Sequence, residues 1–328
     1  MVEPYVFPTI QRMDRQMNII LLRGAVPQDR DPKEICRESI EAEDDIYSHI
    51  AYAMAGKDNG RVLYFGGKRK VSYSETFSIE WVKKLDSYVP DFEPDLILAR
   101  GGFPEYNGFL KNYKNSKTCK IWYYGAGKRF VPKGNIKYDL VLADDERQQK
   151  KLTDSGFKAR CWFKPAPPQF KPVDVEKKYD LCFVAIHPSD PRKRVKWVYE
   201  TMPKGLTMLQ LGYKPDFKVP EGVHIRRIPR SRMPEAMSQC RVGLVPYDEG
   251  NSAPRCISEF MACDVPVIAF KDFALWDMVY RIRREKKKLF WNAVKTYLKY
   301  DELRFRTYKR YVENLNMEKC VEHLKGLL

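Results

Sequence analysis

Short apolar runs recur along this chain, each closed by glycine, proline or a charged residue. Asn18 to Leu22, Arg61 to Phe65, Asp95 to Ala99, Cys119 to Tyr124 and Leu140 to Ala143 are the first five. Near-continuous hydrophobicity over so few residues predicts strands covered on both faces, as in a parallel sheet. The runs end in Arg23-Gly24-Ala25-Val26-Pro27, Gly66-Gly67, Arg100-Gly101-Gly102, Gly125-Ala126-Gly127 and Asp144-Asp145-Glu146-Arg147. Open α/β sheets bind ligands outside the carboxyl ends of their strands, so these turns are predicted to line a site. Between the first two runs, Glu41 to Ala55 is predicted to be an amphipathic helix with Ile46, Ile50 and Ala53 on one face. None of the glycine pairs forms G-x-G-x-x-G, so a dinucleotide reading is weak.

The pattern restarts after residues 164–178, KPAPPQFKPVDVEKK, a proline- and lysine-rich stretch that reads as a domain boundary. Tyr179 to Ile186, Met208 to Leu211 and Gly222 to Ile228 are further strands. Arg230 to Cys240 is predicted as a helix. The stretch from Arg241 to Phe270, RVGLVPYDEGNSAPRCISEFMACDVPVIAF, then reads as a βαβ unit. Its strands are Val242 to Val245 and Val265 to Phe270, with a helix from Arg255 to Cys263. The polar loop Tyr247 to Pro254 opens onto the helix N-terminus, where unpaired N–H groups attract anions. Leu315 to Leu328 has a helical apolar period. A length of 328 residues suits two domains.

Composition narrows the class. An apolar content of 44% with 31% charged residues is that of a globular protein, and no run of about 18 apolar residues exists. MVEPYVFPTIQRMD lacks a basic start and an apolar core, so no secretory signal is read and a cytoplasmic protein is expected. The eight cysteines are scattered without a C-x-x-C pair, which predicts reduced thiols and no zinc site. Lys and Arg number 59 against 43 Asp and Glu, a formal charge of +16. That excess favours a polyanion: nucleic acid, an anionic membrane face or an acidic glycan. It concentrates in Lys68-Arg69-Lys70, Arg226 to Arg232 and Arg281 to Lys288. The aromatic residues following the last run have helical spacing and read as packing residues.

The segment SAPRCISEFMACDVPVIA resembles the C-terminal signature of the family-four glycosyltransferases of GT-B type, E-G-x-P-x-x-x-x-E-A-M-A-C-G-x-P-V-(V/I)-A. The resemblance implies an α/β GT-B fold, two Rossmann-like domains facing each other across a cleft. Residues 1–170 would form an acceptor-side domain and 171–275 a nucleotide-sugar-binding domain. Residues 276–328 would be helices packing back toward the first domain. Glu259 stands where the family's second Glu holds the donor ribose. Asn251 stands where its first Glu meets the donor sugar, and Asp264 replaces the usual Gly. The family's G-R-x-x-x-x-K-G segment places its Lys on Lys193. Its Arg falls on Pro188, leaving Arg192 or Arg194 to replace it.

The resemblance implies transfer of a sugar from a nucleotide-diphosphate sugar to an acceptor hydroxyl, with retention at the anomeric carbon. The donor is a substrate, and no cofactor is implied. D-x-D occurs only as Asp29-Arg30-Asp31 in a polar loop, so a metal-independent enzyme is expected. Lys193, Arg255 and the Ser252-Ala253-Pro254 loop would stabilise the leaving diphosphate. His49 is a candidate general base, with half-buried packing as its other reading. Gly24 is a candidate donor contact. Arg100 and Lys128 are candidates for phosphate, and Arg283, Arg284, Lys286 and Lys287 for the acceptor. The favoured acceptor is a hydroxymethylated base in duplex DNA, because phage-type DNA glycosyltransferases share the GT-B plan and hold phosphates with Lys and Arg. The alternatives are a lipid-linked or cell-surface glycan at an anionic membrane, and a non-catalytic nucleic-acid-binding module on a GT-B scaffold. No stable protein partner is implied.

Overall fold

A computed structural model describes residues 17–25, 46–72, 74–113, 115–123, 136–247, 254–270, 280–282, 287–300 and 302–328. The first half contains β1 (Ile19–Ala25), α1 (Ile46–Ala55), β2 (Gly60–Phe65), β3 (Arg69–Ser72), β4 (Phe77–Val82) and β5 (Leu96–Arg100). It continues with α2 (Glu105–Asn112), β6 (Cys119–Tyr123), β7 (Leu140–Ala143), α3 (Glu146–Asp154) and β8 (Ala159–Cys161). These strands form one sheet in the order β3-β4-β2-β1-β5-β6-β7-β8. All pairs are parallel except β3 with β4 at the edge. Ile19 to Leu22 are fully buried because both faces are covered. Ile19 and Leu21 pack on the side of α1; Ile20 and Leu22 pack with Tyr106, Phe109 and Leu110 of α2.

Three expectations need correction. β3 and β4 were not anticipated, because Ser78 and Glu80 make β4 look polar. Glu80 is nevertheless buried, since Arg61 reaches its Oε1 at 2.8 Å and Tyr88 donates to its Oε2 at 3.0 Å. A buried charge that is paired and hydrogen-bonded loses most of its desolvation penalty. On α1, Ala53 is exposed; the covered face is Ile46, Tyr47, Ile50, Ala51, Met54 and Ala55. The helix expected over 230–240 is instead a 3₁₀ turn, Arg230–Arg232, followed by a short helix, Met233–Ser238. Pro234 has no N–H and fits only the first turn of a helix, so the helix starts at Met233.

The second sheet begins at β9 (Tyr179–Ala185), followed by α4 (Val195–Thr201), β10 (Met208–Gly212), β11 (Val223–Arg226), α5 (Met233–Ser238) and β12 (Cys240–Val245). Then come α6 (Cys256–Ala262), β13 (Val267–Phe270) and β14 (Tyr280–Ile282). The order is β11-β10-β9-β12-β13-β14, parallel throughout. Three helices close the chain: α7 (Lys287–Lys299), α8 (Glu302–Asn314) and α9 (Met317–Leu327). α8 packs on α6, whereas α9 returns to α1 of the first sheet. Trp162, just past β8, donates its indole N–H to the carbonyl of Cys320 in α9 at 3.0 Å. No helix among the described residues is long and apolar enough to cross a membrane.

Candidate active site

The carboxyl end of β9 carries the first group of candidates. After Ala185 the chain turns through residues 186–190 into a 3₁₀ turn, Pro191–Lys193. Asp190 starts that turn and takes the guanidinium of Arg192 at 2.7 and 2.9 Å. The arginine holds the Asp190 carboxyl below its usual range. Arg192 is thereby folded onto its own loop and exposed. Arg194 adopts a left-handed conformation, φ 56°, and its guanidinium carbon lies 5.2 Å from the Phe270 ring centroid. Lys193 is placed differently. Its Nζ sits 3.7 Å from the centroid of the buried Tyr247 ring. Burial lowers the Lys193 pKa, because the apolar surroundings disfavour an ammonium.

Tyr247 links this loop to α6. Its hydroxyl donates to the Val184 carbonyl and lies 3.7 Å from Cys256 Sγ. Burial pushes the Cys256 thiol up to about 11, while Lys193 and Arg230 pull it down and Glu259 pushes it up. Lys193, Arg230, Glu259 and Cys256 are therefore electrostatic neighbours. Glu259, only 1% exposed, is not a surface carboxylate. Its Oε1 accepts from Arg255 Nε at 2.8 Å and from Arg230. The Arg230 guanidinium carbon lies 4.9 Å from the Phe170 ring, on the connection between the sheets. Two guanidiniums thus hold one buried carboxylate, and the half-buried Lys193 ammonium lies on the Tyr247 ring beside the same helix. α6 has seven residues, so these side chains hold more positive charge than the end of so short a helix supplies.

The first sheet presents a second group. Gly24 has φ +114°, at the point where the β1–β2 register shifts. A Cβ there would meet the Phe103 ring at 3.0 Å, so conformation and packing both require glycine. Arg23 and Arg100 follow the paired residues Leu22 and Ala99 on adjacent parallel strands. Their guanidinium carbons lie 5.2 and 4.5 Å from the centroid of the Tyr47 ring. The Tyr47 ring meets that of Tyr123 at a 48° tilt with centroids 5.3 Å apart, and the Tyr123 hydroxyl donates to Asp144. Lys164 meets the other oxygen of Asp144 at 3.1 Å. Asp144 keeps Lys164 charged: burial alone would lower its pKa, yet the net shift is upward. His49 is half-buried two positions beyond Tyr47, about 200° round the helix, so it does not join this group.

Pro254 is half-buried beside Arg255, and Lys287 is exposed at the start of α7. Asn251, Ser252, Ala253, Lys128, Arg283, Arg284 and Lys286 lie outside the described residues. Arg230, Arg23, Tyr47, Asp144 and Lys164 were not singled out from the sequence. Arg23 and Asp144 stand directly after apolar runs, and that position was the available signal. Among the described residues, no three His, Cys, Asp or Glu side chains are grouped as a metal would need.

No protein-family model matches the sequence, and no curated protein matches it. Solved structures match in fold. Anabaena HepE in complex with UDP aligns with TM-score 0.64 at 11% identity, over 95% of this chain and 99% of that one. The fold is GT-B. E. coli trehalose-6-phosphate synthase OtsA, bound with UDP-2-fluoro glucose, aligns with TM-score 0.64 at 9% identity, over 94% of this chain and 98% of that one. TarM aligns with TM-score 0.55 at 12% identity over 71% of this chain, which spans about half of TarM's length, 54%. A TarM variant from S. aureus was solved with Fondaparinux, alpha-GlcNAc-glycerol and UDP. The chain thus has two Rossmann-like domains facing each other across a cleft.

Proposed function

We propose that this chain is a glycosyltransferase that moves a sugar from a nucleotide-diphosphate sugar to an acceptor hydroxyl. One observation carries the reading: beyond the carboxyl ends of β9 and β12, Arg230 and Arg255 pair with the buried Glu259, and Lys193 lies on the Tyr247 ring, whose hydroxyl touches Cys256 at the start of the same helix. The UDP and UDP-sugar complexes among proteins of this fold support it. In this reading Glu259 accepts from the ribose hydroxyls. The C1–O bond of the donor breaks, the diphosphate leaves with the electron pair, and the acceptor oxygen bonds C1 as its proton passes to a base. The three cations stabilise the charge developing on the diphosphate without requiring a metal. Asn251 and His49 keep the roles that the resemblance gives them, contact with the sugar and acceptance of the proton. Retention at C1 rests on the same resemblance.

The test is binding and turnover with a panel of UDP- and GDP-sugars. Lys193→Ala and Glu259→Gln should each weaken nucleotide binding about ten- to a hundredfold, the effect of losing one charged hydrogen bond. Gln is chosen because Ala would leave Arg230 and Arg255 beside an empty volume. Unchanged affinity in two folded variants would put the donor elsewhere. The charge of +16 favours a narrower reading, in which the acceptor is a hydroxymethylated base in duplex DNA. A membrane-bound glycan is the competing acceptor.

A further inference from the structure

The sequence holds three basic runs, and the fold uses them differently. In the run 226–232 every arginine is laid on the protein itself. Arg226 donates to the Tyr179 hydroxyl at 3.1 Å, and Arg227 lies 4.6 Å from the Tyr213 ring centroid. Arg230 pairs with Glu259, and Arg232 meets Glu235 at 2.9 Å. In the run 68–70, Lys70 reaches the buried Glu80 at 3.1 Å. The third run continues into α7, KKLFWNAVKTYLK, which carries Lys287, Lys288, Lys295 and Lys299 and no acidic residue. All four lysines are exposed, and among the described residues none of them pairs with a carboxylate.

The other face of α7 is packed on the core. Phe290, Trp291, Ala293 and Val294 are buried. Phe290 meets Trp197 and Phe270, each at 5.4 Å between centroids, and Trp291 donates its indole N–H to Thr201 at 3.1 Å. A helix seated in this way fixes where its lysines stand. At about 100° per residue, Lys288, Lys295 and Lys299 fall within roughly 40° of one another. They form one line, which at about 1.5 Å per residue runs about 16 Å from Lys288 to Lys299. The line begins near the donor group. β14 is parallel to β13, and α7 starts five residues after β14 ends, at the carboxyl edge of the second sheet. The Phe270 ring beside Phe290 also carries the guanidinium of Arg194, the residue after Lys193, at 5.2 Å.

We propose that the outer face of α7 is a docking track for the phosphate backbone of a nucleic acid, held by Lys288, Lys295 and Lys299. Each strand of a duplex carries one phosphate per about 3.4 Å of axis, so a line of about 16 Å lies within reach of several. Lysines act here as point charges on flexible stems, which hold a backbone without reading its sequence. An anionic membrane attracts the same charges but fits the helix less well. An interfacial helix sinks its apolar face into the acyl boundary, and the apolar face of α7 is already buried in the protein. Its exposed apolar neighbours, Leu289 and Tyr300, stand eleven positions apart. The track deepens the DNA reading by naming where the duplex lies. That the duplex is the acceptor rests on the glycosyltransferase reading; the docking itself does not.

The experiment measures binding of a short DNA duplex to the full chain by fluorescence anisotropy at several salt concentrations. Replacing Lys288, Lys295 and Lys299 together by Gln should weaken binding tenfold or more at low salt. The slope of log affinity against log salt should become shallower by about 2 to 3, near one for each lysine. Gln has nearly the helix propensity of Lys and the three side chains are exposed, so the fold is kept. The matching Arg triple should bind within a few-fold of the parent chain. Replacing the exposed Lys83, Lys111 and Lys117 by Gln lowers the net charge equally and should leave affinity within a few-fold. Equal weakening by both Gln triples overturns the track, because binding then follows net charge alone. No duplex binding by the parent chain overturns it as well. Vesicles of phosphatidylcholine and phosphatidylserine are tested beside the duplex. Vesicle binding that the α7 Gln triple abolishes, without duplex binding, gives the face to a membrane and overturns the proposal. UDP binding is titrated separately, so a chain that binds the duplex through α7 but not UDP loses only the glycosyltransferase reading.

Discussion

Asp264 stands where the resembling signature has glycine, and its φ of 56° explains why glycine is usual there. The chain leaves α6 through a left-handed residue, a conformation that costs an L-residue roughly 1–2 kcal/mol and that Asp tolerates better than most. Asp264→Val should therefore lower stability by about 1–2 kcal/mol, seen as a lower urea midpoint at constant slope. Asp264→Gly should not lower it through the backbone. A Val variant as stable as the parent would mean that the turn relaxes. Lys193 gives a second outcome at this scale. Its pKa is lowered, so its ammonium discharges at a pH below the ordinary lysine value of 10.5. Nucleotide affinity should fall as pH rises through that lowered pKa, and Lys193→Arg should keep its affinity across the same range. An equal alkaline loss in both would remove Lys193 from the donor site. Lys193 and Glu259 were legible because each keeps a spacing within a signature. Arg230 and Lys164 were not, because a basic residue within a run of charges or beside prolines carries no spacing that singles it out, and Arg23 had only its place after an apolar run. What marks them is the ring or carboxylate that the fold brings beside them.

At the scale of elements, the strands buried on both faces were legible as apolar runs, and the sheet edges were not. β4 hides Ser78 and Glu80 in the interior because Arg61 and Tyr88 satisfy the carboxylate. No local pattern announces a partner at such a distance along the chain. β10 shows how closely neighbouring strands approach where the second sheet ends. Gly212 has φ +147°, and a Cβ on it would fall 2.0 Å from the Ala185 carbonyl oxygen of β9. That oxygen belongs to the backbone and cannot swing away. Gly212→Ala must bend the end of β9 just before the loop that carries Lys193. It should cost about 1–3 kcal/mol, the range for a forced backbone conformation, and weaken UDP binding as well. Thermal melting and a UDP titration read the two effects. A variant that melts lower yet binds UDP with parental affinity would show that the Lys193 loop is set independently of β9's end.

Across the whole molecule, one buried cluster runs from Ile19 in β1 to Leu324 in α9, so the closing helices share a core with both sheets. The basic excess is a property of the same scale. If duplex DNA is the acceptor, phosphates repeat along it, and only charges arranged to follow that repeat bind several at once. Each neutralised phosphate releases about 0.9 of a counterion, so log affinity should fall linearly with log salt in proportion to the phosphates held. Replacing Arg283, Arg284, Lys286 and Lys287 together by Gln should flatten that slope. Hydrolysis of the donor alone should stay nearly unchanged, because the four stand outside the sequence motif assigned to the diphosphate. A membrane-glycan enzyme would instead co-sediment with anionic vesicles and ignore the duplex. Affinity for a duplex at two salt concentrations, measured beside vesicle binding, separates the two acceptors. Vesicle binding without duplex binding would overturn the DNA acceptor and leave the donor site untouched, because the two readings rest on different residues.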